Sequence, residues 1–136
     1  MAEAGKKTEG RPFEYALLRV VPRVDRGEFI NTGVVLYCQE ARFLDARVHL
    51  DPDRLHALDP RLDLESVLAH LEVARKVCAG GPEAGSIGLL PPVQRFGWLV
   101  APRSTVVQPS PVHTGLTDDP RKEIEHLMRI MVHIPE

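Results

Sequence analysis

The chain has 136 residues, 43% of them hydrophobic and 26% charged, with a formal net charge of -2. That length suits one domain around one core, and the composition excludes disorder for the bulk of the chain. The slightly acidic balance argues against a large electrostatic footprint on nucleic acid or an anionic membrane, so neither is expected as a partner.

No run of about eighteen apolar residues is present, so no membrane span is expected. The stretch Met1–Gly10 is polar and lacks the apolar centre of a signal peptide. It reads as a flexible tail before a single α+β domain over residues 11–136, with the cytoplasm as the expected compartment. Cys38 and Cys78 each sit within an apolar run and read as small buried hydrophobes rather than a disulfide.

The first half of the chain predicts three strands. Tyr15–Val21 is rich in β-formers and is ended by Pro22, which cannot donate to a ladder. Asp25-Arg26-Gly27 supplies turn chemistry before a second apolar run, Phe29–Cys38. A third strand, Arg42–Leu50, alternates: Leu44, Ala46, Val48 and Leu50 point one way and Asp45, Arg47 and His49 the other. Short connections imply an antiparallel meander.

Three Asp-Pro pairs then mark helix starts, each a capping acceptor before a proline suited to the first turn. Asp51-Pro52 gives a short turn to Leu58, and Asp59-Pro60 opens a long helix to about Ala79. The inward face of that helix is read as Leu64, Val67, Leu68, Leu71, Ala74 and Cys78, with Glu72 and Lys76 paired outside. Asp119-Pro120 opens a last helix with Ile124, Leu127, Met128 and Met131 inward. Between the helices, Phe96–Ala101 and Thr105–Gln108 read as strands around a proline turn. Gln108–Gly115 holds two prolines and reads as an extended edge segment. The expected order is β-β-β-α-β-β-α, an antiparallel sheet of about five strands with both long helices on one face.

Motifs for phosphate loops, dinucleotide folds and zinc proteases are absent, no cofactor is implied, and the six histidines do not reach metal-ligand spacing. The polar candidates lie in two segments. Arg19 interrupts an apolar strand, and Arg23, Glu28 and Asn31 flank the first hairpin; Arg103, Gln108 and His113 lie on the late hairpin and its proline-rich exit. Guanidinium forks with amide partners suit a carboxylate or phosphate. The bland alternative is a cross-strand ion pair between Arg19 and Glu28, with the others holding turns.

Tyr15-Ala16-Leu17-Leu18-Arg19-Val20-Val21-Pro22, then Arg26-Gly27-Glu28-Phe29-Ile30-Asn31-Thr32-Gly33-Val34-Val35-Leu36, resembles the opening of a bacterial family of unknown function, catalogued only as a numbered domain. Gly97-Trp98-Leu99 and Gln108-Pro109-Ser110-Pro111-Val112-His113-Thr114-Gly115 are similar to its later signature. The resemblance implies no activity and no catalytic residue. It does imply a protein partner, a kinase-like protein of the toxin type encoded nearby.

Two functions are therefore expected. The first is a non-enzymatic module that binds a protein partner or a second copy of itself, through a sheet edge or the loop at Leu89 and Leu90. The second is a small enzyme or ligand-binding domain for an anionic substrate. There His113 would act as general base or acid, Glu28 would orient it, and Arg19, Arg23 or Arg103 would hold the anion.

Overall fold

In the computed structural model, which describes residues 10–134, strand β1 (Arg11–Val20) runs through the centre of a five-stranded antiparallel sheet. The tail reading of Met1–Gly10 lies, apart from Gly10, outside the described residues. Strand β2 (Ile30–Cys38) pairs with β1, and β3 (Phe43–Val48) with β2. Strands β4 (Val107–Pro109) and β5 (His113–Thr117) follow one another along the other side of β1. The expected meander and edge-like exit segment are both present in this α+β fold.

The join between β4 and β5 depends on Ser110. Its backbone N–H donates to the Leu17 carbonyl at 2.8 Å, and its buried hydroxyl oxygen accepts from the Leu17 N–H at 2.8 Å. One serine thereby satisfies both ladder groups of Leu17. The Val21 N–H bonds to Val106 on the same side, so alternation turns Pro109 and Pro111 outward, where a missing donor costs no ladder bond.

Helices cover both faces of the sheet, not one as expected. Ala16, Leu18 and Val20 of β1 and Val35 and Tyr37 of β2 pack under α1 (Pro52–Leu58), α2 (Leu64–Ala79) and α3 (Pro92–Leu99), through Leu55, Val67, Leu71, Phe96 and Leu99. On the reverse face Phe13, Leu17, Val34, Leu36 and Cys38 meet Ile124, Leu127, Met128 and Val132, from α4 (Pro120–Leu127) and the π-helical turn Met128–Val132. The reason is visible in β2, whose unbroken apolar run buries side chains on both sides. Cys38 and Cys78 are free and buried, in cores on opposite faces.

Four other expectations change. Residues Phe96–Leu99 are helical, because Pro92 follows the extended Pro91 and starts a turn that brings Phe96 and Leu99 inward at i, i+3, with Phe96 stacked 5.5 Å from Tyr37. The long helix begins at Asp63, whose carboxylate accepts from Glu65 and Ser66, whereas Asp59 closes the preceding helix. Leu68 is 47% exposed and Val77 takes a buried place, so the apolar stripe of α2 is narrower and rotated from the predicted one. Glu72 pairs with Arg75 at 3.2 Å rather than with Lys76.

Leu71 has no exposure. Leu71→Ala should cost about 2–5 kcal/mol by a cavity left under α2, while Leu68→Ala should stay within about 1 kcal/mol. Chemical-denaturation midpoints of the two variants check the assignment, and equal shifts would refute it. Burial, with the Asp45 carboxylate nearby, pushes the Cys78 thiol up to about 12. The folded state therefore holds this proton more tightly than the unfolded chain does. Its stabilising contribution is fully present below the ordinary thiol value of 9.0 and falls as pH rises toward 12. Unfolding curves for the wild type and Cys78→Ala should show a steeper alkaline loss in the wild type.

Candidate functional site

The site begins with one extra residue in β2. Leu18 faces Gly33 and Arg19 faces Asn31, so Thr32 is a β-bulge. The buried Thr32 hydroxyl donates to the Ile30 carbonyl at 3.0 Å, and the Thr32 carbonyl accepts from the His49 N–H at 2.8 Å. Without the bulge, alternation would send Asn31 into the core under α2 and Ile30 to the reverse face. With it, Ile30 joins the α2-side core and the Asn31 amide donates to the Met131 carbonyl at 3.2 Å. Gly33 permits the tight pairing beside the bulge, because a Cβ there would lie 2.7 Å from the Arg47 carbonyl oxygen.

Arg19 occupies the same face. Its guanidinium carbon lies 4.1 Å from the centre of the Phe29 ring, and its buried Nε–H has no acceptor. The neighbouring Asn31 Oδ1 is also buried and accepts nothing. Among the described residues no carboxylate comes within ion-pairing distance of Arg19. The expected cross-strand pair with Glu28 does not form. Glu28 meets Arg26 instead, at 2.8 Å and 3.2 Å, which holds its carboxyl below the usual range and raises Arg26.

Gln108 faces Arg19 from the other side of β1, so Gln108, Arg19 and Asn31 form one row across the sheet. The Gln108 amide donates to the Thr105 carbonyl at 2.9 Å. The remaining candidates lie elsewhere. Arg23 pairs with Asp25 at 3.0 Å in the exposed hairpin, drawing the Asp25 carboxyl down. Arg103 stacks on Trp98 at 4.8 Å and donates to the carbonyls of Trp98 and Ala101, so it braces its own loop. His113 faces Tyr15, with their rings 5.2 Å apart. Glu28 lies beyond Ile30, which faces Val20, so roughly 16 Å of strand separates it from His113. The structure does not bring that acid–base pair together.

Two exposed apolar residues near this row escaped the sequence reading: Phe29, which stacks on Arg19, and Met131, whose carbonyl accepts from Asn31. Phe29 is 44% exposed, and so is much of Met131 at 37%, although Met131 was expected to point inward. The π-helical turn explains this: the His133 N–H bonds back to Met128 at 3.0 Å, one residue farther than in an α-helix, so Val132 takes the buried position. Among the described residues no three His, Cys, Asp or Glu side chains gather as a metal ion would need. No helix there is long and apolar enough to cross a membrane.

Chemically, the row offers a guanidinium with no carboxylate partner among the described residues, stacked on the half-exposed Phe29 ring. A carboxylate, as on an acidic peptide segment, pairs with such a guanidinium through its outer N–H groups. An unpaired, partly desolvated cation also lowers stability. Arg19→Met, which keeps the contact with Phe29, should therefore raise stability by about 0.5–2 kcal/mol. A lowered denaturation midpoint would show that Arg19 is structural.

Comparison with known proteins gives one family match: residues 15–132 fit the family described as protein of unknown function (DUF3037). No curated protein and no solved structure matches the chain.

Proposed function

We propose that this chain, which belongs to the DUF3037 family, is a protein-interaction module that captures an acidic segment of a partner at the row Gln108–Arg19–Asn31. The observation that carries the reading is the Arg19 guanidinium, stacked on the half-exposed Phe29 ring with no carboxylate partner among the described residues. An arginine held in place with no carboxylate of its own suits one supplied by a partner. Phe29 adds apolar contact beside Arg19, and the hairpin before it carries exposed Val24. Aromatic and arginine side chains of this kind dominate interface energies. A kinase-like protein of the toxin type, implied by the family resemblance, is the first partner to try.

The test compares proteins copurifying with the full chain from its own host, for the wild type, Arg19→Met and Arg19→Lys. A stoichiometric partner should be held by the wild type, lost with Arg19→Met and weakened with Arg19→Lys, since a lysine offers no planar fork. Truncating one side of such a charge-assisted contact should weaken binding by about 2–5 kcal/mol. Equal recovery of the partner by all three chains would defeat the assignment of the site.

A further inference from the structure

A second arginine cluster, separate from Arg19, lies at the outer edge of β3. A cleft of about 520 Å³ opens there between α2 and the π-helical turn, lined by Arg47, Arg75, Arg129, Glu125, Met128 and His133. The three guanidinium groups come from three different elements, the sheet, α2 and the turn after α4. Their existing partners leave N–H groups over: Arg75 meets Glu72 at 3.2 Å through one Nη alone. Arg47 is held by Asp45 at 3.0 Å but reaches Glu125 only at 3.6 Å, across a half-exposed gap. Arg129 donates to His126 Nδ1 at 3.0 Å and has no carboxylate partner among the described residues.

The edge itself contributes. The outward Ala46 N–H is taken by the Asp45 carboxylate at 2.9 Å, which blunts the edge against strand addition. Val48, two residues on, borders the cleft, and alternation turns its N–H to the same outer side.

We propose that this cleft binds a small organic phosphate, with Arg47, Arg75 and Arg129 as the N–H donors to its oxygens and Glu125 as a competing internal anion. A carboxylate saturates one guanidinium fork, whereas a tetrahedral phosphate presents oxygens to several donors converging from different directions. The volume lies within the range of small-molecule sites and exceeds what a bare phosphate fills, and Met128 and Val48 supply an apolar wall for a carbon body. Glu125 occupies part of the space an anion needs and is the group a bound phosphate displaces from Arg47. The proposal is independent of the Arg19 site.

Calorimetric titration of the full chain with inorganic phosphate and with adenosine monophosphate tests it, at low ionic strength. Glu125 and Arg129 are exposed, so their variants keep the fold. Saturable one-to-one binding is expected. Glu125→Gln should tighten it by about three- to tenfold through loss of the competing charge, and Arg129→Gln should weaken it by about tenfold. Arg19→Met should leave it unchanged. Absence of saturable binding for both probes, or a Glu125→Gln variant that binds no more tightly than the wild type, would overturn the proposal.

Discussion

Strand β1 has to be satisfied on four sides at once, and the rest of the molecule follows from how that is done. Both faces are buried under helices, and both edges carry ladders, to β2 along one side and to β4 and β5 along the other. A buried backbone group without a partner costs as much as several apolar contacts return, so the gap between β4 and β5 has to be bridged. Ser110 bridges it with one backbone donor and one side-chain acceptor. The flanking prolines are tolerated because their missing donors fall on the solvent side.

The bulge at Thr32 plays the corresponding part on the other side of β1. It costs a regular pairing step and exchanges the faces of Ile30 and Asn31. Asn31 then ties β2 to the π-helical turn, and the turn in its own way moves Met131 out and Val132 in. Two irregularities thus meet at one place, and each decides which side chain enters the core, Ile30 and Val132, and which stays out of it, Asn31 and Met131. Bulges and π-turns of this kind concentrate at functional sites, where regular geometry would aim a side chain wrongly. The same π-turn borders the arginine cleft on its far side through Met128 and Arg129, so one local departure from α-helical spacing shapes both surfaces.

The charged residues divide by what they meet. Arg23 with Asp25, Arg26 with Glu28, and Arg75 with Glu72 are exposed neighbours in sequence, and such pairs contribute little to stability. Arg95 and Arg103 spend their donors on carbonyls of helix ends and loops: Arg95 closes α2 by bonding the Val77 and Cys78 carbonyls at 2.7 Å each. Arg19 fits neither group. It is stacked and partly buried with no acceptor for its Nε–H, a condition that burial alone disfavours.

Local chemistry was enough to place much of the framework. Pro22, the Asp25-Arg26-Gly27 turn, and the Asp51 and Asp119 caps act within a few residues of themselves, and the prolines of the exit segment rule out a central strand whatever surrounds them. For the same reason Arg19 could be singled out as a polar side chain in an apolar strand, and Asn31 and Gln108 as polar candidates in their own segments. Other features depended on partners far along the chain. Phe96–Leu99 has aromatic and apolar residues that suit a strand or a helix, and the Pro92 start together with packing against Tyr37 decides for the helix. Leu68 and Leu71 are equally apolar, and which one is buried follows from the rotation of α2 over the sheet. The single-residue offsets at Thr32 and at the π-turn leave no periodic trace, because one inserted residue changes which face every neighbour takes without changing composition. Sequence thus determined which residues were available for recognition. The tertiary structure alone decided that Glu28 and His113 stay apart while Arg19 and Asn31 meet, since register between distant strands is set by the packing of whole faces and not by any local preference.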